Sequence, residues 1–499
     1  MKRKSAKKFK IAFPSNIKLL KAYHKLLKEK RIKRVKEIEE ILKTRPVRSL
    51  SGIVNISVLT KPYPCPGKCL YCPIEKGIPK SYVSGEPAVE RAKRLNYNPY
   101  LQVKKRIEML KLEGHPTDKV EIRIVGGTWS FYPKKYRDWF ITRCFAACNA
   151  KLTRDTNAKP TRKVKSLEEE QKLNEKAKHR IVGLSTETRP DFITPEEIKH
   201  LRNLSVTMVE LGVQSIYDDV LKKNLRGHEV KETILATKLL KDAGFKVLYQ
   251  MMPNLPGSDL KRDKKIFEEL FRNPDFQPDL LKIYPCALLK EAPLYKLWKK
   301  GKYNPYAEKQ LIELIKSVKK IIPYYVRIQR IVRDIPSPKI LAGAAGISNL
   351  RQILKEEMKQ QGLQCKCIRC REIREKYNSK EKVILYRQNY NASNGKEIFL
   401  SFENKERSKL YSLLRLRITS QNKAIIREIH TYGQLVPITE IKSAPQHRGL
   451  GKKLIKVAEE IAKKEFGLSE IAVISAVGTR NYFRKLGYLL KDTYMVKKL

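Results

Sequence analysis

From residue 51 onward, short runs of Val, Ile and Leu alternate with longer stretches of helical periodicity. Six runs stand out, at 54–60, 120–127, 180–187, 207–215, 246–254 and 280–286. Apolar strands separated by helix-length segments predict a parallel α/β fold, because helices cover both faces of such a sheet. Six strand–helix units predict a partial (βα)6 barrel, with functional loops at the C-terminal ends of the strands. Residues 151–165, rich in basic and turn residues, read as a mobile loop in the second connection.

Two other patterns flank the barrel. Residues 1–50 carry 18 Lys or Arg and four acidic residues, with helical apolar spacing through Leu19, Leu20, Tyr23, Leu26, Leu27 and Ile32. This predicts a basic amphipathic arm able to neutralise phosphates. After Arg333 come a Pro-rich stretch, a Gly/Ala-rich stretch and a lysine-rich helix. Strand-like runs follow at 383–387, 398–402, 413–419, 424–432 and 471–476, with a helix at 450–466. The expected organisation is an arm at 1–50, a barrel at 51–335, a metal-binding linker at 336–375 and a separate α+β domain at 376–499.

Charge narrows the partners. Across 499 residues, 106 Lys and Arg stand against 52 Asp and Glu, a net charge of +54. Such a field attracts polyanions, so nucleic acid is the expected partner, and basic proteins are disfavoured. No apolar stretch approaches the roughly 20 residues of a membrane span, and the basic N-terminus lacks the apolar core of a signal peptide. A cytoplasmic protein with no membrane association is expected. The nine cysteines are clustered, which argues for metal ligation over disulfides.

Cys65, Cys69 and Cys72 stand at C-x3-C-x2-C in the loop after the first strand. Three thiolates on a 4Fe-4S cluster leave one iron open to a small molecule; a structural zinc or a closed cluster is the other reading of three thiols. Gly126 and Gly127 end the second strand in GGTW, where a bare backbone can approach a ligand. The third strand ends with Glu187, Thr188, Arg189 and Asp191, a ligand-binding rim or a surface ion-pair network. Glu210, Gly212, Gln214 and Ser215 end the fourth. Arg226, Gly227 and His228 follow, then Gln250, Pro253 and Asn254 at the fifth. In KIYPC, Lys282 and Tyr284 share a face by the period of two, and a lysine in a barrel mouth needs an anionic partner.

Cys365, Cys367 and Cys370 form C-x-C-x2-C between the two bodies, read as a zinc clip with Cys286 or a histidine as candidate fourth ligand. Cys144 and Cys148, at i and i+4, read as buried small hydrophobes. In the last domain Gln446, His447, Arg448, Gly449, Leu450, Gly451 and Lys452 open a helix, where free backbone N–H groups suit a pyrophosphate. In the later AVGTRNYFRKLGY, Tyr482, Phe483 and Tyr488 are candidates to line a thioester, and Arg480 and Asn481 to bind phosphates.

The cysteine spacing resembles that of radical SAM enzymes, and the glycine loop resembles the coenzyme A grip of GNAT-type N-acetyltransferases. The two together, with PCPGKCLYCP, NYNPYLQ, ELGVQS, CIRCREI, HTYGQLVPI and ISAVGTRNYFRKLGY, resemble the Elongator catalytic subunit family from about residue 15 to the C-terminus. The resemblance implies a tRNA-modifying enzyme that forms 5-carboxymethyluridine at the wobble position. It implies a 4Fe-4S cluster on Cys65, Cys69 and Cys72, S-adenosylmethionine as radical source, acetyl-CoA as carbon source and zinc. Lys282 and Tyr482 are the implied catalytic residues, and the two domains are expected to face each other across one anticodon. Phe483 departs from the family's second tyrosine there, and Cys286 from its threonine. The interdomain cysteines resemble the prokaryotic branch, which acts without accessory subunits; a homodimer stays open. The alternative function is a protein lysine acetyltransferase with a structural iron–sulfur cluster.

Overall fold

The computed structural model describes residues 14–150, 163–347, 349–374, 381–433 and 449–499. Seven parallel strands lie side by side in chain order: β1 (Val54–Leu59), β2 (Lys119–Val125), β3 (Arg180–Thr188), β4 (Met208–Gln214), β5 (Lys246–Met251), β6 (Leu280–Ile283) and β7 (Arg327–Ile331). β1 and β7 are the two edges, so the barrel stays open between them. The sequence pattern foretells the first six. β7 is additional, and its run RIQRI carries too few apolar residues to stand out, because Arg327 and Gln329 face a polar interior.

Helix boundaries follow local chemistry. Asn98 caps Pro99–Leu112 by accepting from the Leu101 N–H, with proline at the first helical position, where its missing donor costs nothing. Ser166 and Glu169 form a reciprocal capping box at the start of Leu167–Asn174. The apolar faces of Pro99–Leu112 and Lys134–Asn149 cover β1 to β3, and here Cys144 and Cys148 are fully buried among aliphatic and aromatic side chains, as expected.

The second body is a mixed seven-stranded sheet built from β8 (Ile384–Ala392), β9 (Gly395–Glu403), β10 (Leu410–Ile418), β11 (Ala424–Thr431), β12 (Glu470–Val473), β13 (Leu489–Lys491) and β14 (Tyr494–Lys498), in the order β13-β14-β12-β11-β10-β9-β8. Ser393 and Asn394, at φ 48° and 58°, turn the β8–β9 hairpin, a two-residue turn whose twist matches the strands. β11 and β12 pair in parallel only from Ala424 to Ile426, while β11 runs on to Thr431. The two strands therefore part and leave a wedge beside the helix Leu450–Lys464.

Charged side chains fix the second sheet to the barrel. Arg427 donates to both carboxylate oxygens of Asp279 (2.6 and 2.8 Å), Arg417 to Asp242 (2.6 Å) and Arg415 to the Tyr325 carbonyl (2.6 Å). Ser51 bridges Gly433, and its carbonyl lies 2.7 Å from His430 Nε2. Tyr325, Asp279 and Ser51 all precede barrel strands. The sheet thus covers the N-terminal ends of the strands, opposite the end that carries the cysteine loop. This corrects the expectation that the two bodies face each other across one substrate beside that loop.

Candidate active site

At the C-terminal ends of the strands lies a cavity of 260 Å³ whose lining includes Cys65, Cys69 and Cys72. β1 leads directly into the loop that carries them, and Gly67 lets that loop pack tightly: a Cβ there would sit 2.8 Å from Arg189 Nη1 and 3.5 Å from Cys69 Sγ. Lys80 donates to the Gly67 carbonyl and clamps the loop. Burial works to raise the Cys69 thiol, but Arg226, whose Nη1 lies 3.6 Å from the sulfur, outweighs it and holds the thiol below its ordinary value. At Cys72 burial, with the neighbouring Cys69, outweighs Lys80 and Arg333 and pushes the thiol up to about 12. Thr128, which follows the paired glycines, lies 3.6 Å from Cys65 Sγ.

Most predicted rim residues converge here. Gly127, Glu187, Arg189, Gln214 and Lys282 line the cavity, as does Tyr284 on the same face as Lys282. Gly126 does not line the cavity: its φ of 114° and the 2.5 Å from a built Cβ to Thr60 Oγ1 leave room for no side chain. Lys282 donates to Glu210. Burial would discharge the ammonium, but Glu210 overcomes it and raises the lysine above its ordinary value. Burial likewise raises the Glu187 carboxyl; Lys282 opposes the shift and Glu210 adds to it. Arg189 forms a two-pronged pair with Asp191 at 2.8 and 2.9 Å.

The sequence reading passed over Tyr82, Arg330 and Arg333, which also line the cavity. Arg333 pairs with Glu86 at 2.9 Å. Recognition of β7 was the missing signal, because Arg330 and Arg333 belong to its C-terminal end.

The thiols of Cys365, Cys367 and Cys370 lie within 4.8 Å of one another, and Lys319 Nζ is 3.6 Å from Cys370 Sγ. One tetrahedral zinc holds its thiolates roughly 3.8 Å apart, so this triplet is spaced for a single ion. Cys65, Cys69 and Cys72 do not converge so closely, which suits a cuboidal cluster whose thiolates bind different irons. Cys286 belongs to a separate apolar group with Leu255, Leu288, Leu294 and Tyr303, so it is not beside the Cys365–Cys367–Cys370 triplet.

In the wedge of the second sheet, Gly449 takes φ 71° ahead of the helix Leu450–Lys464, Leu450 is buried and Lys452 is exposed. A Cβ on Gly451 would lie 3.1 Å from the Tyr482 hydroxyl and 3.8 Å from Thr431 Oγ1, so Tyr482 closes over the helix start. Although its ring is partly exposed, desolvation raises that tyrosine to about 12, so its hydroxyl stays neutral. Tyr488 is fully buried and donates to Glu459 at 2.8 Å. Arg480 and Asn481 are engaged with Glu175 of the barrel body at 3.3 and 3.0 Å; they dock the sheet rather than face the wedge. Gln446, His447 and Arg448 lie outside the described residues.

Comparison with known proteins covers both bodies. The Radical SAM superfamily model matches residues 62–270, and the Radical_SAM C-terminal domain model matches 278–360. A radical SAM domain carries a 4Fe-4S cluster and uses S-adenosylmethionine, and the first cysteine triplet and its cavity fit both. The chain is 45% identical to a tRNA uridine(34) acetyltransferase of Methanocaldococcus infernus, over 98% of this chain and 92% of the relative. It is 39% identical to human Elongator complex protein 3, over 92% of this chain and 86% of the relative. The solved structure of archaeal M. infernus Elp3 with an N-terminal deletion matches with a TM-score of 0.77 at 42% identity, over 90% of this chain and all of that one. No described helix is long and apolar enough to cross a membrane. At these identities over nearly its whole length, the chain belongs to the family shared by the tRNA uridine(34) acetyltransferases and Elongator complex protein 3.

Proposed function

We propose that this enzyme modifies uridine 34 of tRNA in the cytoplasm, building a carboxymethyl group on C5 from acetyl-CoA by S-adenosylmethionine-derived radical chemistry. The supporting observation is 44–45% identity over 98% of the chain, spanning both bodies, to relatives named for that nucleoside. Cys65, Cys69 and Cys72 would hold the cluster, which when bound and reduced supplies the electron that splits S-adenosylmethionine. Gly127 leaves backbone room beside it, and Glu187, Arg189 and Gln214 offer polar contacts to the bound sulfonium compound. Lys282, kept cationic by Glu210, would meet the carboxylate of the new substituent.

In the wedge, Gly449, Leu450, Gly451 and Lys452, preceded by Gln446, His447 and Arg448, would hold the coenzyme A pyrophosphate on a helix N-terminus. The neutral Tyr482 hydroxyl beside Gly451 would hold the thioester oxygen, with Tyr488 bracing the helix from behind. Cys365, Cys367 and Cys370 would take one zinc. The arm at 1–50 would bind tRNA phosphates, and the boundaries 51–335, 336–375 and 376–499 describe the remaining parts.

One observation favours the second reading, an acetyltransferase acting on protein: among the described residues, nothing beyond Ala345 lines the cysteine cavity. The decisive experiment reconstitutes the chain anaerobically with iron and sulfide, adds tRNA, and weighs the wobble nucleoside by mass spectrometry. A gain of one carboxymethyl group should require both acetyl-CoA and S-adenosylmethionine and vanish in Cys69→Ala. Product formed without S-adenosylmethionine sinks the proposal, and acetylated peptides formed without tRNA establish the alternative.

A further inference from the structure

Below the cysteine cavity, where the barrel meets the second sheet, lies another cavity of 350 Å³. Arg48, Arg106, Arg123, Lys246, Arg327 and Arg369 line it, and so do His430 and Tyr432 of the second body. The carboxylates within reach are already committed. Glu113 takes Arg48, Glu121 takes Arg123 at 2.6 Å, Glu428 takes Lys246 (3.2 Å) and Arg415 (2.8 Å), and Glu372 takes Arg327 (2.7 Å) and Arg374 (2.8 Å). Among the described residues Arg106 and Arg369 meet no carboxylate, and Arg369 Nε is buried with no hydrogen-bond partner. Burial, then Arg48 and Arg91, press the Arg106 guanidinium down to about 10. Glu113 and Glu372 act on these two arginines only at a distance while paired with others, and two half-buried guanidinium groups with no carboxylate in contact around an open space are costly unless an anion fills it.

We propose that this lower cavity is a binding site for a small oxyanion, a carboxylate or a phosphate, held by Arg106 and Arg369. Guanidinium groups suit either, because their planar N–H forks match two oxygens at once. The site adjoins the upper cavity, since Arg123 and Gln329 line both, and Gln329 Oε1 is buried without a partner at that boundary. An anion bound there would touch both the barrel floor and β11 of the second sheet. The proposal stands on these side chains alone and is independent of the reaction assigned above.

The test follows the thermal midpoint of the full chain as inorganic phosphate or sodium acetate replaces chloride at constant ionic strength. The midpoint should rise with at least one of the two anions, and which one responds identifies the class. Arg106→Gln and Arg369→Gln should each need at least about tenfold more anion for the same rise. Arg106→Gln should also melt higher than the wild type in chloride alone, because it removes repulsion. Lys134→Gln, an exposed lysine elsewhere, should respond like the wild type. No rise with either anion, or an equal rise in both arginine variants, overturns the proposal by assigning the effect to the general basic surface. Should either variant fail to fold, crystals of the wild type soaked in selenate decide: an anomalous peak between Arg106 and Arg369 upholds the site and an empty cavity rejects it.

Discussion

Asp279→Asn tests whether the two bodies are held by charge. The side chains of Lys241, Asp279, Arg417 and Arg427 are 0% exposed, and those of Glu397 and Arg415 are 1% exposed. Four cations thus share two carboxylates in full burial, with Asp242 and Glu428 helping from the margin. Asp279 receives both prongs of Arg427 and the Val247 N–H at 2.9 Å, and lies 3.5 Å from Arg415 and 3.6 Å from Lys241. Neutralising it leaves Glu397 as the one fully buried carboxylate among the four cations, with Asp242 and Glu428 reaching only Arg417 and Arg415. Breaking a buried ion pair on one side costs about 3–5 kcal/mol, and this loss should fall at the top of that range. Lys241 supplies the internal control: its Nζ is buried and makes no hydrogen bond, so adding Lys241→Met should restore part of the balance. The assay is urea unfolding followed by circular dichroism for the whole chain and by tryptophan fluorescence for the barrel, since Trp129, Trp139 and Trp298 all lie there. The double variant should recover at least half of the lost stability. A loss below about 1 kcal/mol in Asp279→Asn, or a further loss on adding Lys241→Met, refutes charge compensation as the basis of docking.

Gly478 packs on the start of β3, where a Cβ would lie 2.8 Å from the Ile181 carbonyl oxygen and 3.0 Å from its nitrogen. Gly478→Ala should therefore cost about 1–3 kcal/mol and speed amide exchange at Ile181; unchanged exchange there would contradict the contact. His179, buried against Thr117, is held down to about 4 by burial, so its neutral form is the native one. Stability from this group is complete above the unfolded value of 6.5 and is lost as pH falls toward 4, by about 3 kcal/mol; His179→Gln should lose that slope in urea midpoints from pH 7 to 4. On the proposed metal assignment, Cys367→Ser should remove one zinc per chain and leave iron unchanged, while Cys69→Ala removes iron and leaves zinc, as read by elemental analysis.

The sequence is legible where one local rule acts alone. β4 is buried at all seven positions, so its apolar run could hardly be anything else, and the cysteine triplets announce themselves by spacing. β7 is hidden because Arg327 and Gln329 face a polar interior and break the apolar signal. β13 and β14 escaped because they are short and lysine-bearing, and they take their place only by pairing with β12. Docking was illegible for a different reason. Arg415, Arg417 and Arg427 look like the solvent face of a strand, and their partners Asp242 and Asp279 lie more than a hundred residues away. Arg480 and Asn481 show the same error from the other side: phosphate-binding types in a plausible motif, they serve Glu175 instead.

The barrel interior connects these findings. A closed eight-stranded barrel fills its interior with aliphatic layers. Here inward positions include Asn55, Glu121 and Arg123 below and Glu210, Gln250 and Lys282 above, with Met208, Leu248 and Leu280 as a small apolar group. The open edge between β1 and β7 lets water reach such side chains; Asn55 is exposed although it belongs to a strand. The wedge lies with the second sheet at the lower end of the strands, and the cysteine cavity lies at the upper end. On the proposed function, a two-carbon unit carried by coenzyme A in the wedge would have to reach the upper cavity around the open edge while still attached, or be cleaved from its carrier by water, leaving the coenzyme A thiol behind, and cross the interior as a free carboxylate. Only the second route calls for a cationic carboxylate site beneath Arg123 and Gln329. Acetate is therefore the discriminating anion: a midpoint that rises with acetate and loses that rise in Arg106→Gln favours passage through the barrel, and a response confined to phosphate leaves the route around the edge.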